Sequence, residues 1–219
     1  FRIIVPDAEI ITPIRDLKLS REAEIDYLIK MGVQRDWHKS TYSINQGLWG
    51  TSVGGKETLN SWDSLPEEAY PMQLSKKKSS EITLEFLKGE LKAVNNRRFK
   101  NPVEAIRRVH TLAAPYAIGR DTHVGDTIIG IKGRVGFEAA APLIIIKAHH
   151  LLEKHVLTKW QQYWKQNLAE WYGMLLHEGQ FNEPVLRDIE AFFESSQDVV
   201  SGIVRVKLSP YTFQVLGIK

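Results

Sequence analysis

Glycines and hydroxyl side chains are mixed in the segment GLWGTSVGGKETLNSW, residues 47–62, which makes it the first place to look for chemistry. Gly50 precedes the pair Gly55 and Lys56 by the spacing of a nucleotide-binding P-loop. The P-loop pattern continues with Ser or Thr, whose hydroxyl binds Mg²⁺, whereas this chain has Glu57 there. The segment therefore falls one residue short of a phosphate-binding loop.

The sequence around this segment also differs from the surroundings of a P-loop, which follows a buried strand and opens a helix. Polar YSINQ comes before it, and Pro66 and Pro71 interrupt the sequence after it. We therefore interpret the segment as a polar loop in which backbone amides and the hydroxyls of Thr51 and Ser52 meet an anionic or polar ligand. A solvated turn without a ligand is the alternative interpretation.

Three histidines and a glutamate crowd one predicted helix: His149, His150, Glu153 and His155. His149 and Glu153 are four residues apart and share a face, whereas His155 lies on another side of the helix. The spacing does not match the HExxH pattern of zinc enzymes. We therefore predict structural or surface histidines and no metal site. The sequence also shows no pattern of a catalytic triad.

A second helical pattern places Trp160, Trp164 and Trp171 at spacings of four and seven residues, together with Tyr163 and Tyr172. Such spacing indicates one stripe along a helix. A set of aromatic rings that stack on a cofactor is one interpretation. The stripe is more typical of a hydrophobic core or a subunit interface, and we predict one of these two roles.

The composition excludes several classes of protein. With 219 residues, 43% of them hydrophobic and 25% charged, the chain is long and apolar enough to fold around a large core. It has no cysteine, which excludes disulfides and thiolate chemistry and fits the cytoplasm. The net charge of +3 comes from interleaved charges with only short basic runs, so no nucleic-acid partner is expected. No apolar run is long enough for a membrane span, so no membrane partner is expected either.

Periodicity and turn residues predict a mixture of helices and antiparallel hairpins, which defines an α+β fold. In the first half, they predict a helix capped by Ser20 that ends at Gly32, a long loop over residues 34–79, a hairpin over residues 81–94, and a helix from Asn101 to about Pro115. In the second half, they predict a glycine-rich pair of strands within residues 119–142, helices over residues 143–179 with a break near Thr158, a helix over residues 182–197, and a final hairpin that turns at Ser209 and Pro210.

Two blocks of the sequence, YSINQGLWGTS and GRDTHVGDTIIGIKGRVGFEAAAPLIIIKAHH, resemble argininosuccinate synthases. The segments ITPIRDLKLSREAEIDYLIKMGV and GIVRVKLSPYTFQVLG extend the resemblance over almost the whole chain. It implies a synthetase domain at residues 36–219, built from antiparallel hairpins packed with helices, after a connecting segment at residues 1–35. Because the chain opens on Phe1 rather than Met, we expect a preceding nucleotide-binding domain with an SGGLDT-type loop.

The resemblance implies ATP-dependent condensation of citrulline with aspartate, which gives argininosuccinate, AMP and pyrophosphate in arginine biosynthesis. It assigns Ser43 and Ser52 to the amino-acid end of citrulline, and we add the hydroxyls of Thr51 and Thr122 as further substrate-binding candidates. ATP with Mg²⁺ is expected to bind mainly outside this chain. We therefore expect no catalytic residue and no activity in the chain alone, and a homotetramer as the assembly of the whole enzyme.

Two positions depart from the pattern of the family. Gly125 in HVGDT and Phe137 in RVGFE stand where the family commonly has a glutamate and a tyrosine that contact citrulline. A glutamate would pair with the α-ammonium of citrulline, and the loss of such a partner is costly. An N-acylated citrulline has no α-ammonium and needs the room that Gly125 leaves. It is therefore one alternative substrate, with its acyl group near Phe137 and the hydroxyls of Thr122 and Thr127.

Free citrulline, held by compensating contacts from Asp121 or Asp126, is the other alternative. A third interpretation is a binding and oligomerisation module that no longer supports the reaction. The hydroxyls of Ser43 and Ser52 favour an enzyme, whereas the two departures favour a changed substrate or a module.

Overall fold

The computed structural model describes residues 2–34, 42–126, 130 and 132–219. The chain divides into two compact units, Phe1–Thr41 and Tyr42–Lys219. The predicted boundary between residues 35 and 36 lies outside the described residues, as does Thr127. The two units are therefore considered one at a time.

Among its described residues, the first unit has two helices, α1 (Pro13–Leu17) and α2 (Arg21–Lys30). The hydroxyl oxygen of Ser20 accepts a hydrogen bond of 3.3 Å from the amide of Ala23, which satisfies one of the free donors at the start of α2. Gly32 follows the helix with a φ of +80°, a conformation that glycine adopts without strain. The predicted helix between Ser20 and Gly32 is confirmed.

The described residues of the second unit form four α-helices and two antiparallel sheets. Its helices are α3 (Pro102–Ala113), α4 (Ala140–Val156), α5 (Lys159–His177) and α6 (Val185–Gln197). Its strands are β1 (Ser43–Gly47), β2 (Gly50–Gly54), β3 (Ser80–Leu87), β4 (Glu90–Val94), β5 (Arg97–Arg98), β6 (Arg120–Asp126), β7 (Lys132–Glu138), β8 (Gly202–Ser209) and β9 (Thr212–Ile218). The strand orders are β1-β2-β7-β6 in the four-stranded sheet and β5-β4-β3-β8-β9 in the five-stranded sheet. The predicted α+β class is confirmed.

The main hydrophobic core lies between the five-stranded sheet and helices α3 and α4. In β3, the alternating residues Ile82, Leu84 and Phe86 are buried, and in the neighbouring β8, Val204 and Val206 are buried opposite them. This period of two is what a sheet with one covered face requires. The predicted hairpin over residues 81–94 is confirmed.

Side-chain caps fix the starts of two helices. The side chain of Asn101 accepts a hydrogen bond of 2.9 Å from the amide of Val103 at the start of α3. At the start of α5, the amide of Thr158 donates to the side chain of Gln161, and the amide of Gln161 donates back to the Thr158 hydroxyl. Both helix starts were predicted from these cap residues, and both are confirmed.

One expectation from the sequence is wrong, and for another only one of its two alternatives remains. The long loop predicted over residues 34–79 contains the hairpin β1–β2, because pairing of β2 with β7 stabilises strands whose own glycine, serine and asparagine residues have low strand propensity. The aromatic stripe on α5 is not core, since Trp160, Trp164 and Trp171 are 65%, 56% and 60% exposed. The subunit-interface role of that stripe stays a prediction.

None of the helices in the described part of the chain is long and apolar enough to cross a membrane.

Candidate functional site

The antiparallel register of the four-stranded sheet aligns four side chains across it. Ser52 in β2 pairs with Asn45 in β1 and with Phe137 in β7. Phe137 pairs in turn with Asp121 in β6. Because directly paired residues point to the same side of a sheet, all four side chains lie on one face.

Residues two positions further along each strand lie on this same face, because side chains alternate along a strand. We call it the open face; its members are Ser43, Asn45, Gly47, Gly50, Ser52, Gly54, Asp121, His123, Gly125, Gly133, Val135 and Phe137. Five of these twelve members are glycines, so much of the backbone is not covered by side chains. Ser43, Asn45, Asp121 and His123 are exposed, and the face therefore offers hydroxyl, amide, carboxylate and imidazole groups to a ligand.

Phe137 packs against Gly50 in the middle of the open face. A Cβ atom built on Gly50 would lie only 2.4 Å from Cζ of the Phe137 ring, and Gly50 has a φ of +148°. Another residue at Gly50 would therefore meet both backbone strain and the ring. In a tyrosine, Cζ carries the hydroxyl. The ring atom of Phe137 that would carry this hydroxyl therefore faces the β1–β2 hairpin.

Gly125 lies at the far side of the open face, and the imidazole of His123 covers part of it. A Cβ atom built on Gly125 would lie 3.1 Å from Nε2 of His123. The imidazole of His123 therefore occupies part of the space that a side chain at Gly125 would fill. A larger residue at this position requires that His123 move by a few tenths of an ångström or more.

Two candidates, Thr51 and Thr122, lie on the opposite face. Thr51 pairs with Glu138 and is buried, whereas Thr122 pairs with Gly136 and is exposed. The register therefore brings Ser43, Ser52, Gly125 and Phe137 together on the open face and points both threonines away from them. The assignment of Thr51 and Thr122 as substrate ligands stays a prediction.

A buried carboxylate fixes the rear of the sheet behind Phe137. Glu138 is 2% exposed, and its Oε1 accepts a hydrogen bond of 3.0 Å from the amide of Met72. Nε of Arg120 lies 3.8 Å from Oε2 of Glu138. Burial raises the pKa of Glu138, and the Met72 amide and the Arg120 guanidinium offset part of that rise.

Arg120 ties the segment of residues 67–72 to the same rear side. Its guanidinium stacks on the ring of Tyr70 at 4.6 Å from the centroid. It also donates a hydrogen bond of 2.5 Å to the carboxylate of Glu67 and another to the carbonyl of Met72. The rear of the sheet is therefore held by charged and aromatic contacts, while the open face is left free.

The segment that resembles a P-loop does not form a phosphate cradle. β2 ends at Gly54, and a single 3₁₀ turn at Lys56–Leu59 follows it instead of a long α-helix. The hydroxyl of Thr58 accepts from the amide of Gly55 at 3.3 Å and donates to its carbonyl at 2.7 Å. The Gly55 amide is thus already paired, and these residues do not fit the phosphates of ATP.

Glu153, which lies among the histidines of α4, is 5% exposed and accepts two hydrogen bonds. Oε1 of Glu153 accepts from Nζ of Lys165 at 2.7 Å and from Nε2 of Gln197 at 2.8 Å. Nδ1 of His149 lies 3.7 Å away, and burial lowers the pKa of His149. Within the described ranges, no group of three or more His, Asp or Glu side chains is arranged to hold a metal ion.

Comparison with known proteins decides the family. Residues 42–219 match the family model described as the Arginosuccinate synthase C-terminal domain. The chain is 35% identical to the argininosuccinate synthases of Dictyoglomus thermophilum and Methanocaldococcus jannaschii, in each case over 99% of this chain and 55% of the relative. It belongs to the argininosuccinate synthase family. The argininosuccinate synthase of Xanthomonas campestris is 34% identical over 92% of this chain and 52% of the relative, so the chain spans about half the length of the curated relatives it matches.

In this member of the family, the strand register reveals two open-face residues that sequence reasoning missed, Asn45 and His123. Asn45 lies opposite Ser52, and His123 lies opposite Val135. The signal was present in the alternation of RDTHVGD, where Asp121, His123 and Gly125 occupy every second position. It could not be used before β6 was known to pair with β7, because the pairing decides which alternate set shares a face with Ser52.

Proposed function

We propose that this domain binds citrulline on its open face within a full-length argininosuccinate synthase, a carbon–nitrogen ligase that joins citrulline to aspartate in arginine biosynthesis. The observation that carries the proposal is the position of Ser43 and Ser52 as a diagonal pair on β1 and β2. The Cα atoms of such a pair are typically about 7–8 Å apart, close enough for both hydroxyls to contact one amino-acid group. Short hydroxyls donate to a carboxylate and accept from an ammonium.

The residues of the open face bind and orient the substrate in this proposal. The amide of Asn45, between the two serines on the same face, adds one donor group and one acceptor. ATP with Mg²⁺ activates the ureido group of citrulline when it is bound, and its phosphates are held outside this chain, since Gly50 to Lys56 do not cradle them. A cytoplasmic location, which a sequence without cysteine fits, is part of the same proposal.

Alanine substitutions of Ser43 and Ser52 in the full-length protein test the proposal. Each loses a partner to a polar ligand, so citrulline binding is expected to weaken by about 1–2 kcal/mol, while the KM for ATP stays unchanged. Steady-state kinetics with each substrate varied in turn measure both effects. Unchanged citrulline KM values in both variants would show that the serines are structural.

The 219-residue chain alone is expected to show no synthase activity and no appreciable affinity for Mg-ATP. Isothermal titration of the chain with Mg-ATP measures this directly. Micromolar binding would contradict the assignment of ATP to a site outside the chain and would reopen the P-loop interpretation of Gly50 to Lys56.

An N-acylated citrulline is the second candidate substrate, and the residue types at Gly125 and Phe137 favour it. Phe137 is apolar, and neither it nor Gly125 offers a charged partner for an α-ammonium on the open face. Acylation removes that ammonium, and an acyl group near Gly125 would lie beside the imidazole of His123, whose Nε2 is 3.1 Å from a Cβ atom built on Gly125. Asp121 is the open-face carboxylate that could instead pair with the ammonium of free citrulline.

The ratio of kcat/KM values for citrulline and for its N-acetyl and N-succinyl derivatives separates these two candidates. A tenfold preference for free citrulline, about 1.4 kcal/mol, would end the N-acyl candidate. A Gly125→Glu variant that improves the use of citrulline and loses the acyl form would support it. Asp121→Asn is the matched control, because it should weaken the use of free citrulline only.

Assembly into a homo-oligomer, a tetramer by family resemblance, is the third part of the proposal. It is supported by the exposed aromatic stripe of α5, in which Trp160, Trp164 and Trp171 present large apolar surfaces to solvent. Replacement of Trp164 by Lys is expected to lower the molar mass measured by light scattering. Gln166→Lys on the same helix is the control; an equal loss of mass in both variants would argue against a specific role for the stripe.

A further inference from the structure

The imidazole of His123 occupies a special place on the open face. It belongs to the row of side chains next to the Ser52–Phe137–Asp121 row and lies opposite Val135. Its Nε2 reaches along β6 toward Gly125, where a Cβ atom would come within 3.1 Å of it. The ring is exposed, and it is the only imidazole among the open-face residues defined above.

The chemistry of this position follows from what surrounds it. Gly125 and Gly133 pair with each other and carry no side chains, so a ligand that lies over them meets backbone on one side and the imidazole on the other. Val135 and Phe137, the neighbouring residues in β7, are apolar. The polar side chains of this region therefore come from β6. An imidazole donates a hydrogen bond from its protonated nitrogen, whereas the carboxylate of Asp121 only accepts.

We infer that His123 is a specificity-determining residue that donates a hydrogen bond to an acceptor oxygen of the substrate lying over Gly125. The inference rests on the proposed use of the open face for citrulline. The acceptor is a carboxylate or carbonyl oxygen, and the α-carboxylate of citrulline and the acyl carbonyl of an N-acylated citrulline are the two sources of that chemistry. Gly125 contributes by having no side chain, which allows the imidazole to lie along the strand.

Three variants of His123 in the full-length protein test the donor role. His123→Ala and His123→Leu remove the donor and are expected to raise the KM of the preferred substrate about tenfold, which corresponds to about 1.4 kcal/mol, with little change in kcat. His123→Gln keeps an N–H donor at a similar reach and is expected to restore most of the affinity. An effect seen only with N-acetylcitrulline identifies the acyl carbonyl, and an effect seen also with citrulline identifies the α-carboxylate.

A double-mutant cycle tests the link to Gly125. Gly125→Ala adds a Cβ atom that displaces the imidazole, so it should raise KM in the wild-type background and have little effect in the His123→Ala background. Equal effects of Gly125→Ala in both backgrounds would overturn this coupling. Thermal unfolding of each variant checks that the fold is kept, which is expected because His123 is exposed.

Ser52→Ala, measured in parallel, separates this inference from the proposed function. If Ser52→Ala raises the citrulline KM and none of the His123 variants does, His123 has no role in recognition although the open face binds substrate. If neither residue affects KM, the open face is not the substrate site. If His123→Gln behaves like His123→Leu, hydrogen-bond donation is not the role of the imidazole.

Discussion

The two sheets of the second unit differ in which faces they cover. In the five-stranded sheet, β3 buries Ile82, Leu84 and Phe86 under helices, and each is at most 2% exposed. In the four-stranded sheet, all five residues of β1 are exposed, and β2 buries only Thr51 and Val53, on the rear side. The first sheet therefore supplies apolar burial, and the second presents polar groups on a backbone with few side chains.

This difference shows how a polar, glycine-rich sheet can persist in a compact unit. The four-stranded sheet is anchored from behind, by Glu138 and Arg120, and from within, by the Phe137 ring on Gly50. Apart from the Phe137 ring, its front then needs no side chains for packing. Substitutions should therefore be costly in the five-stranded sheet, costly at a few anchor points of the four-stranded sheet such as Gly50, and nearly neutral at the exposed positions of the open face.

The largest effect is expected for Leu84→Ala in the five-stranded sheet. Leu84 is fully buried, and truncating a buried leucine typically lowers the free energy of unfolding by about 2–5 kcal/mol. Leu87→Ala, in the same strand at a residue that is 44% exposed, is the control and should cost much less. Urea denaturation followed by circular dichroism measures both; similar losses would remove the contrast between the two kinds of position.

The next effect is expected at Gly50, the anchor within the four-stranded sheet. Gly50→Ala places a Cβ atom against the Phe137 ring and should cost about 1–3 kcal/mol of unfolding free energy. Gly47→Ala is the control, because its Cβ atom would meet nothing closer than the Gly50 carbonyl at 3.6 Å. In a Phe137→Ala background, the cost at Gly50 should fall to the part caused by its positive φ. No such reduction would mean that the ring contact is not the reason for the glycine.

A smaller effect is expected from the pH dependence of stability, through Glu138 on the rear of the sheet. Burial raises the pKa of Glu138 above its ordinary value of 4.5, so the folded state binds the proton more tightly than the unfolded state does. This carboxyl therefore lowers stability as pH rises from below 4.5 through its folded pKa, by at most about 1.4 kcal/mol per pH unit. Unfolding midpoints of the wild type and Glu138→Gln, measured across that range, should show a steeper decline in the wild type. Parallel curves would place the origin of any pH dependence elsewhere.

The smallest effect on stability is expected on the open face itself. Asn45 is exposed, so Asn45→Ala should change the free energy of unfolding by no more than about 0.5 kcal/mol. In the full-length protein, the same substitution should weaken citrulline binding by about 1 kcal/mol, because a polar partner is lost. Denaturation and citrulline KM, measured on the same variant, would sharpen the contrast. A stability loss as large as that of Gly50→Ala would mean that the side chain of Asn45 contributes to the stability of the fold.

The elements that sequence reasoning predicted best are those with their own local signals. Ser20, Asn101 and Thr158 cap helices through contacts within three residues, and Ile82, Leu84 and Phe86 alternate within one strand. Such signals depend on neighbours along the chain. They therefore need no knowledge of the tertiary fold.

The hairpin β1–β2 was not predicted, because its stability comes from β7, more than eighty residues further along the chain. The candidate site shows the same limit. The hydroxyls of Ser52 and Thr51 look equivalent in the sequence, and only the pairing of Ser52 with Phe137 and of Thr51 with Glu138 places them on opposite faces. The exposure of the α5 tryptophans was also unpredictable, since helical spacing reveals a stripe but not what covers it.

The position of β1 in the sheet affects how often both serines are in place at the same time. Within the described part of the chain, β1 is an edge strand, paired only with β2, whereas β2 is paired on both sides. Because an edge strand is paired on one side only, we expect β1 to open more often than β2, and Ser43 to leave its place more often than Ser52. The apparent affinity for a substrate that uses both hydroxyls is therefore reduced in proportion to the fraction of molecules in which β1 is paired with β2. Amide hydrogen exchange in β1 measures that fraction.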